Sequence, residues 1–182
     1  MKRVAVFFGG VSNEHDISVL TGMMAVNLLK SAGYEVLPVF LPLSGGMTLA
    51  MGADRAEALV RNSYPAVALS GKSLVRAKAF KRRKRFDIAL NCCHGGMGED
   101  GTLPALFAFH GVPSASPSME LSAAFMDKSL AKLFLKGLGL PVLPSGCVRE
   151  GEGERAKTEA KKLGYPLVVK PCRLGSSIGV TV

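Results

Sequence analysis

Two short apolar segments, each followed at once by a polar loop rich in glycine, constrain the fold of this chain more than any other feature. Residues 3–8 end at Gly9-Gly10, and residues 86–91 end at the loop 92–101. Apolar runs of this length are typical of buried strands, and the pattern after each loop is helical. Strand, helix and strand with short links form a parallel pair with a right-handed crossover. The sequence therefore predicts a Rossmann-like, doubly wound α/β sheet, in which ligands bind beyond the carboxyl ends of the strands, where both loops lie.

The first crossover helix is predicted over about residues 17–32. Its apolar residues recur at three- and four-residue steps: Ile17, Leu20, Met24 and Leu28. Asp16 is the expected N-cap and Gly33 the expected C-cap. The other patterns of this part predict strands at 34–41, 86–91 and 112–115, an edge strand at 73–80, and helices at 54–62 and 102–110.

The pattern changes after Pro117, and we predict two domains, residues 1–120 and residues 121–182. The patterns beyond Pro117 predict helices at 119–125, 128–136 and 152–163, strands at 146–149 and 165–170, a loop at 171–179 and an apolar tail at 180–182. Since the chain stops as a strand begins, we expect the second domain to be interrupted.

The net charge of +9 comes from one segment. Between residues 72 and 85 lie eight basic residues and no acidic one: Lys72, Arg76, Lys78, Lys81, Arg82, Arg83, Lys84 and Arg85. Without them the chain would have 15 basic against 14 acidic residues. Phe80 is the single aromatic residue there, so the stacking platform of a single-strand binder is missing. We interpret the segment as a solvated basic loop or edge hairpin, with a patch for nucleic acid or another anionic surface as the alternative.

Composition and cysteine usage indicate a cytoplasmic protein. No apolar run reaches the roughly 18–20 residues of a membrane-spanning helix, and the apolar run at the start is shorter than the ~7–15 residues of an export signal. The four cysteines form no C-x-x-C pair and are expected to be reduced thiols that mostly fill core space.

Three loops carry residues suited to ligand chemistry. In the loop that follows Lys170, glycines and two serines could bring backbone N–H and hydroxyl donors to a phosphate, although a plain hairpin turn is the alternative. In the loop 92–101, His94 could titrate near neutral pH beside Glu99, or both could be solvated. In the loop 9–16, Glu14 would suit an ammonium group or serve only the helix start. A nucleophilic Cys93 beside His94 is disfavoured, because adjacent strand residues point to opposite faces.

Taken in order, four motifs resemble the D-alanine–D-alanine ligases, ATP-grasp enzymes of peptidoglycan synthesis. The motifs are Gly-Gly-x-Ser-x-Glu-x-x-x-Ser from Gly9, His-Gly-x-x-Gly-Glu-Asp-Gly-Thr from His94, Met126-Asp127-Lys128, and Val-Lys-Pro-x-x-x-Gly-Ser-Ser-x-Gly from Val169. The resemblance implies that residues 121–182 begin an ATP-grasp domain. Two positions depart from the family pattern: Ser116-Pro117 replaces a usual glycine, and Leu174 stands where some relatives have an acidic residue.

The resemblance also implies a role for each matching residue. Glu14 would hold the ammonium of the first D-alanine, Ser176 would share a hydrogen-bond network with it, and His94 with Glu99 would lie beside that substrate. The residues matched to ATP-phosphate binding are Lys128, Lys170, Gly175, Ser177 and Gly179. No metal ligand is assigned.

The implied reaction is phosphorylation of one D-alanine by ATP, followed by attack of a second D-alanine on the acyl phosphate. ATP and Mg²⁺ are the implied cofactors, and a homodimer is the implied assembly. Family members are nearly twice as long, so the Mg²⁺ ligands are expected outside these residues, and the chain by itself is not expected to catalyse ligation. D-Ala-D-lactate or D-Ala-D-serine ligation, or a non-catalytic module that binds an amino acid or nucleotide, are the alternatives.

Overall fold

The computed structural model describes residues 2–53, 55–62, 64–76 and 79–182. The chain divides into two compact units, Met1–Ala123 and Ala124–Val182. In chain order the first unit contains β1 (Arg3–Gly9), α1 (His15–Ser31), β2 (Glu35–Leu41), β3 (Thr48–Leu49), α2 (Ala56–Arg61), β4 (Val67–Leu69), β5 (Ser73–Arg76), β6 (Ala79–Arg85), β7 (Ile88–Asn91), α3 (Thr102–Phe109) and β8 (Ser114–Ala115). A 3₁₀ turn at Gly96–Gly98 precedes α3, and α4 (Met119–Met126) begins in this unit and ends three residues beyond it.

The main sheet has the strand order β3-β2-β1-β7-β8. β1 pairs in parallel with both β2 and β7, and β7 pairs in parallel with β8, while the short β3 is antiparallel to β2. Side chains from β1 fill the core on both faces, with Phe7 packed edge-on against Phe107 at 4.8 Å between ring centroids. The predicted α/β class with a parallel sheet is therefore confirmed.

Helix α1 packs closely against β1 at Gly22. A Cβ at Gly22 would come 2.1 Å from Cβ of Phe8, so only glycine permits this packing. The helix begins two residues earlier than predicted, with Glu14 rather than Asp16 as N-cap. It ends at Ser31, one residue earlier than predicted, with Ala32 rather than Gly33 as C-cap. Gly33 follows with a φ of +84°; its N–H donates to the carbonyl of Lys30, and that of Tyr34 donates to the carbonyl of Leu29, both at 3.0 Å.

The apolar spacing that predicts α1 lies on its exposed face. The side chains concerned are 53–63% exposed: Ile17, Leu20, Met24 and Leu28. The face that packs on the sheet instead carries Ser18, Val19, Gly22, Met23 and Val26. Helix α1 therefore has an apolar stripe that remains exposed among the described residues.

The basic segment forms an antiparallel sheet of its own with the order β4-β5-β6. The single edge strand predicted at 73–80 is wrong: Ser73–Arg76 is the central strand, and β6 pairs antiparallel with it, with Arg76 opposite Ala79. Residues 77 and 78 of the predicted strand lie outside the described residues. An alternating pattern does not show this antiparallel pairing within the segment. Of the eight basic residues, Lys78 lies outside the described residues, and those with described side chains are exposed: Lys72, Arg76, Arg83, Lys84 and Arg85. The exposed basic side chains fit both the solvated segment and the alternative of a patch for an anionic surface.

The second unit contains α5 (Lys128–Gly137) and α6 (Gly153–Leu163). Asp127 caps α5, since its carboxylate accepts from the N–H of Ser129 at 2.9 Å and of Leu130 at 3.3 Å. The strand predicted at 146–149 is absent, because no neighbouring strand in this unit pairs with it. The strand predicted at 165–170 is reduced to one bridge, between Val169 and Thr181. No residue from 124 to 182 is buried.

Throughout the described residues, every helix is too short or too polar to span a bilayer.

Candidate functional site

The loops that follow β1 and β7 are tied together by hydrogen bonds between residues 76 to 82 positions apart. Ser12 Oγ donates to the carbonyl of His94 at 2.8 Å and accepts from the N–H of Glu14 at 3.1 Å. Ser18, fully buried at the first turn of α1, accepts from the N–H of His94 at 2.8 Å and donates to the carbonyl of Glu14 at 3.0 Å. Two serines thereby fix the backbones of Glu14 and His94 next to each other.

The His94 ring lies between a hydroxyl and a carboxylate. Its Nε2 is 3.0 Å from Oγ1 of Thr21, and its Nδ1 is 3.9 Å from Oε1 of Glu99. The side chains of His94 and Glu99 are 37% and 46% exposed, so both groups can be reached from solvent. This arrangement can orient an imidazole toward a small polar ligand.

Glycines in the loop 92–101 make room for this cluster. Gly95 has a φ of +64°, and a Cβ there would come 2.5 Å from Oε2 of Glu14. A Cβ at Gly98 would come 2.4 Å from Cβ of Cys93. The Glu14 carboxylate therefore lies directly against the backbone that also carries His94.

Asn91, the last residue of β7, holds the loop in this shape. Its amide donates to the carbonyl of Gly98 at 2.7 Å, and its Oδ1 accepts from the N–H of Cys93 at 3.0 Å. Sequence reasoning missed Asn91 and Thr21 as supports of the site. The signal available was a polar amide at the end of an otherwise apolar strand, just before a glycine-rich loop.

The two cysteines at the start of this loop are inert. Burial raises the pKa of Cys92 to about 11; burial, and then the neighbouring Cys92, raise the pKa of Cys93 to about 12. Both are therefore neutral thiols near pH 7, which agrees with the interpretation of core-filling residues.

In the second unit, Lys128 is bound to the loop that leads to Gly179. Its Nζ donates to the carbonyl of Leu174 at 2.6 Å and to that of Cys172 at 3.4 Å, and its backbone N–H donates to Cys172 at 3.0 Å. Val169 and Thr181 exchange two backbone hydrogen bonds, at 2.8 and 2.9 Å, and close the segment between them as a hairpin. The structure thus brings one predicted lysine to the predicted phosphate loop.

The backbone of that loop is unusual at its tip. Ser176 and Ser177 have φ of 48° and 58°, and Gly179 has φ of 70°. A Cβ at Gly179 would come 2.9 Å from Pro171, so the loop also packs tightly on itself. Gly175 accepts from the N–H of Ile178 at 3.0 Å, and Lys170 lies exposed at the base of the hairpin, next to Val169.

In the part of the chain with described side chains, no three His, Cys, Asp or Glu residues are grouped as metal ligands would be.

Comparison with known proteins gives matches along most of the chain. The family model described as D-ala D-ala ligase N-terminus matches residues 3–117, and that described as D-ala D-ala ligase C-terminus matches residues 134–182. A D-alanine–D-alanine ligase of Nocardia farcinica is 35% identical over 192 residues, covering 98% of this chain and 53% of that protein. The chain spans about half the length of the curated relatives it matches.

Solved structures of these ligases also match this chain. The D-alanine–D-alanine ligase of Helicobacter pylori has a TM-score of 0.87 at 28% identity, covering 100% of this chain and 56% of the other. The VanG D-Ala:D-Ser ligase of Enterococcus faecalis has a TM-score of 0.86 at 28% identity, covering 99% of this chain and 55% of the other. On the two family matches and these similarities, the chain belongs to the D-alanine–D-alanine ligase family.

Proposed function

We propose that this chain provides the first-substrate site and a phosphate-binding loop of a D-alanine–D-alanine ligase, which joins two D-alanines at the expense of ATP for peptidoglycan synthesis. The observation that carries the proposal is the packing of the Glu14 carboxylate against Gly95, in the loop that also carries His94 and Glu99. A carboxylate, an imidazole and a second carboxylate at the carboxyl ends of adjacent strands suit a small zwitterion.

In this proposal Glu14 binds the ammonium of the first D-alanine by a charge-assisted hydrogen bond. His94, held by Thr21 and facing Glu99, orients the amino acid for reaction. Ser176 is assigned to substrate binding as well. Each of these roles needs its side chain held in place, and Ser12 and Ser18 provide that support for the two loops of the first unit.

ATP is the proposed phosphoryl donor, and the residues of the second unit fit its phosphates. The ammonium of Lys128 has three N–H donors, and two of them bind the carbonyls of Cys172 and Leu174. The third N–H can therefore bind a phosphate oxygen. Lys170 adds a second positive charge, and the turn from Gly175 to Gly179 presents backbone N–H groups and the Ser177 hydroxyl. When bound, ATP supplies the phosphoryl group that activates the substrate carboxylate.

Mg²⁺ is a proposed cofactor of the whole enzyme, but the described residues do not form a site for it. They lack a cluster of three acidic, histidine or cysteine ligands. We therefore assign no step of the mechanism to a metal held by these residues.

The experiment that tests the proposal measures D-alanine-dependent phosphate release and the amino-acid product of the gene product that carries these 182 residues. D-Ala-D-Ala is expected. A D-Ala-D-Ser product would favour the second candidate, which the similarity to the VanG ligase supports. Binding of D-alanine and ATP without phosphate release would indicate a non-catalytic module.

We further infer a cytoplasmic homodimer. The reaction consumes ATP, which places it in the cytoplasm. The exposed apolar stripe of α1 has the chemistry of a contact between two copies, because it is continuous and lacks charged side chains.

A further inference from the structure

Two cysteines outside the proposed substrate site lie side by side in the second unit. The Sγ atoms of Cys147 and Cys172 are 3.7 Å apart, although the residues are 25 positions apart in the sequence. Cys147 is exposed, and Cys172 is partly exposed, so an oxidant in solution can reach the pair. The buried Cys92 and Cys93 offer no such access.

Each cysteine belongs to a differently anchored segment. The Cys147 segment is held to α6, since Gly146 packs against Glu159 and the N–H of Arg149 donates to Glu152 at 2.8 Å. Cys172 belongs to the loop that Lys128 holds by both its backbone N–H and its ammonium. A covalent bond between the two sulfurs would tie the phosphate loop to α6.

We propose that Cys147 and Cys172 form a reversible disulfide, with a peroxide as the oxidant, and that this bond regulates the loop from Pro171 to Gly179. The sulfurs need to approach by less than about 2 Å to reach bonding distance, which side-chain rotation and small loop shifts can supply.

The chemistry balances in two steps. The Cys147 thiol first releases its proton, and the thiolate attacks one oxygen of hydrogen peroxide. The O–O bond breaks, and the departing hydroxide combines with the released proton to leave as water. The sulfur of Cys172 then attacks the sulfenic sulfur of Cys147, the S–O bond breaks, and a second water leaves with the proton of Cys172. Two thiols and one peroxide thus give one disulfide and two waters.

The order of the steps follows from the surroundings of Cys172. Burial, the hydrogen bond with Cys147 and the negative charge of Asp127 raise its pKa, so it is a poorer first nucleophile at neutral pH. The more exposed Cys147 is the site of the first oxidation, and Cys172 is the resolving thiol.

The disulfide would shift the carbonyl of Cys172, which accepts from Lys128, and with it the serines at the tip of the loop. An effect on ATP binding rests on the proposed function, whereas formation of the disulfide does not.

The test treats the gene product that carries these residues with hydrogen peroxide and maps its disulfides by mass spectrometry, with Cys147→Ser and Cys172→Ser as controls. A peptide pair joined at Cys147 and Cys172, lost on reduction and absent from both variants, is expected. Independent oxidation of the two cysteines, or disulfides only between molecules, would overturn the proposal.

A second readout follows the KM for ATP before oxidation, after it and after reduction. A several-fold rise that dithiothreitol reverses, and that Cys147→Ser abolishes, is expected. A crosslink without any change in KM would overturn the regulatory role. If the crosslink forms in a protein without ligase activity, the proposed function fails and the disulfide stands.

Discussion

The backbone of Gly95 leaves room for the carboxylate of Glu14: a Cβ on Gly95 would come 2.5 Å from Oε2 of Glu14. Gly95→Ala is therefore expected to displace Glu14 and raise the KM for D-alanine more than that for ATP. It would also destabilise the fold by about 1–2 kcal/mol, because an alanine is strained at positive φ. Steady-state kinetics with each substrate varied in turn, together with a thermal melt, measure both effects.

Gly111→Ala is the matched control for this substitution. Gly111 has a φ of +63°, against +64° for Gly95, but nothing lies within 4 Å of its Cβ position. The control should lose similar stability and leave the KM for D-alanine unchanged. If Gly95→Ala and Gly111→Ala had the same KM for D-alanine, the packing of Glu14 on Gly95 would have no role in substrate binding.

Removing the charge of Glu14 tests its proposed partner directly. Glu14→Gln keeps the side-chain shape but loses a charge-assisted bond worth roughly 1.5–3 kcal/mol, or about 10–150-fold in affinity. The KM for the first D-alanine should rise by a factor in that range, with a small effect on ATP. Asp16→Asn, which removes an exposed carboxylate from the same helix turn, should have little effect. An unchanged KM in Glu14→Gln would exclude the ammonium role.

The parts of the fold that sequence patterns predict are those set by local burial. β1 is an apolar run with six of its seven residues buried, β7 is a shorter and partly buried strand, and each ends near its glycine-rich loop. The pattern at 73–80 predicts one strand and not the pairing of β5 with β6, because that pairing joins two neighbouring segments and an alternating pattern does not show where one strand ends. The strand predicted at 146–149 does not form, although its pattern suits a strand, because no other strand of this unit pairs with it.

The candidate site was predicted in part. Glu14, His94 and Glu99 follow from polar residues at strand ends, and the structure brings them together. The serine bridges were not predictable, because Ser18 meets His94 across 76 positions of sequence, and no local pattern encodes that contact. The roles assigned to Glu14, His94 and Glu99, and those of Lys128, Lys170 and Ser176, stay predictions.

Protection from hydrogen exchange should differ between the two units. Residues 1–117 are expected to fold independently, with the slowest amides in β1, β2 and β7, whose side chains form the core. Residues 127–182 should exchange faster, because no side chain there is buried and local opening costs little. Exchange followed by mass spectrometry on the 182-residue chain measures this. Equal protection in the two parts would contradict the expectation.

The exposed stripe of α1 predicts association between two copies of the chain. Fully burying such a side chain contributes about 1.5–3 kcal/mol, so burying the remaining exposed half contributes about 1 kcal/mol each. Four residues from each copy give a total of about 8 kcal/mol before the cost of association, which is about 4 kcal/mol or more, so a stable dimer needs further contacts around the stripe. Leu20→Glu, in the middle of the stripe, would bury a charge and should convert the dimer to a monomer in sedimentation velocity runs.

Phe109→Glu is the control for this substitution, because Phe109 is a large apolar residue of the same unit that is 84% exposed and lies on α3 instead of α1. Its variant should remain dimeric. Because the stripe lies on the face of α1 opposite the sheet, Leu20→Glu should leave the thermal stability of the first unit nearly unchanged, which separates lost association from unfolding. A wild-type protein that sediments as a monomer at tens of micromolar, or a Leu20→Glu variant that still forms dimers, would show that this face is not the contact.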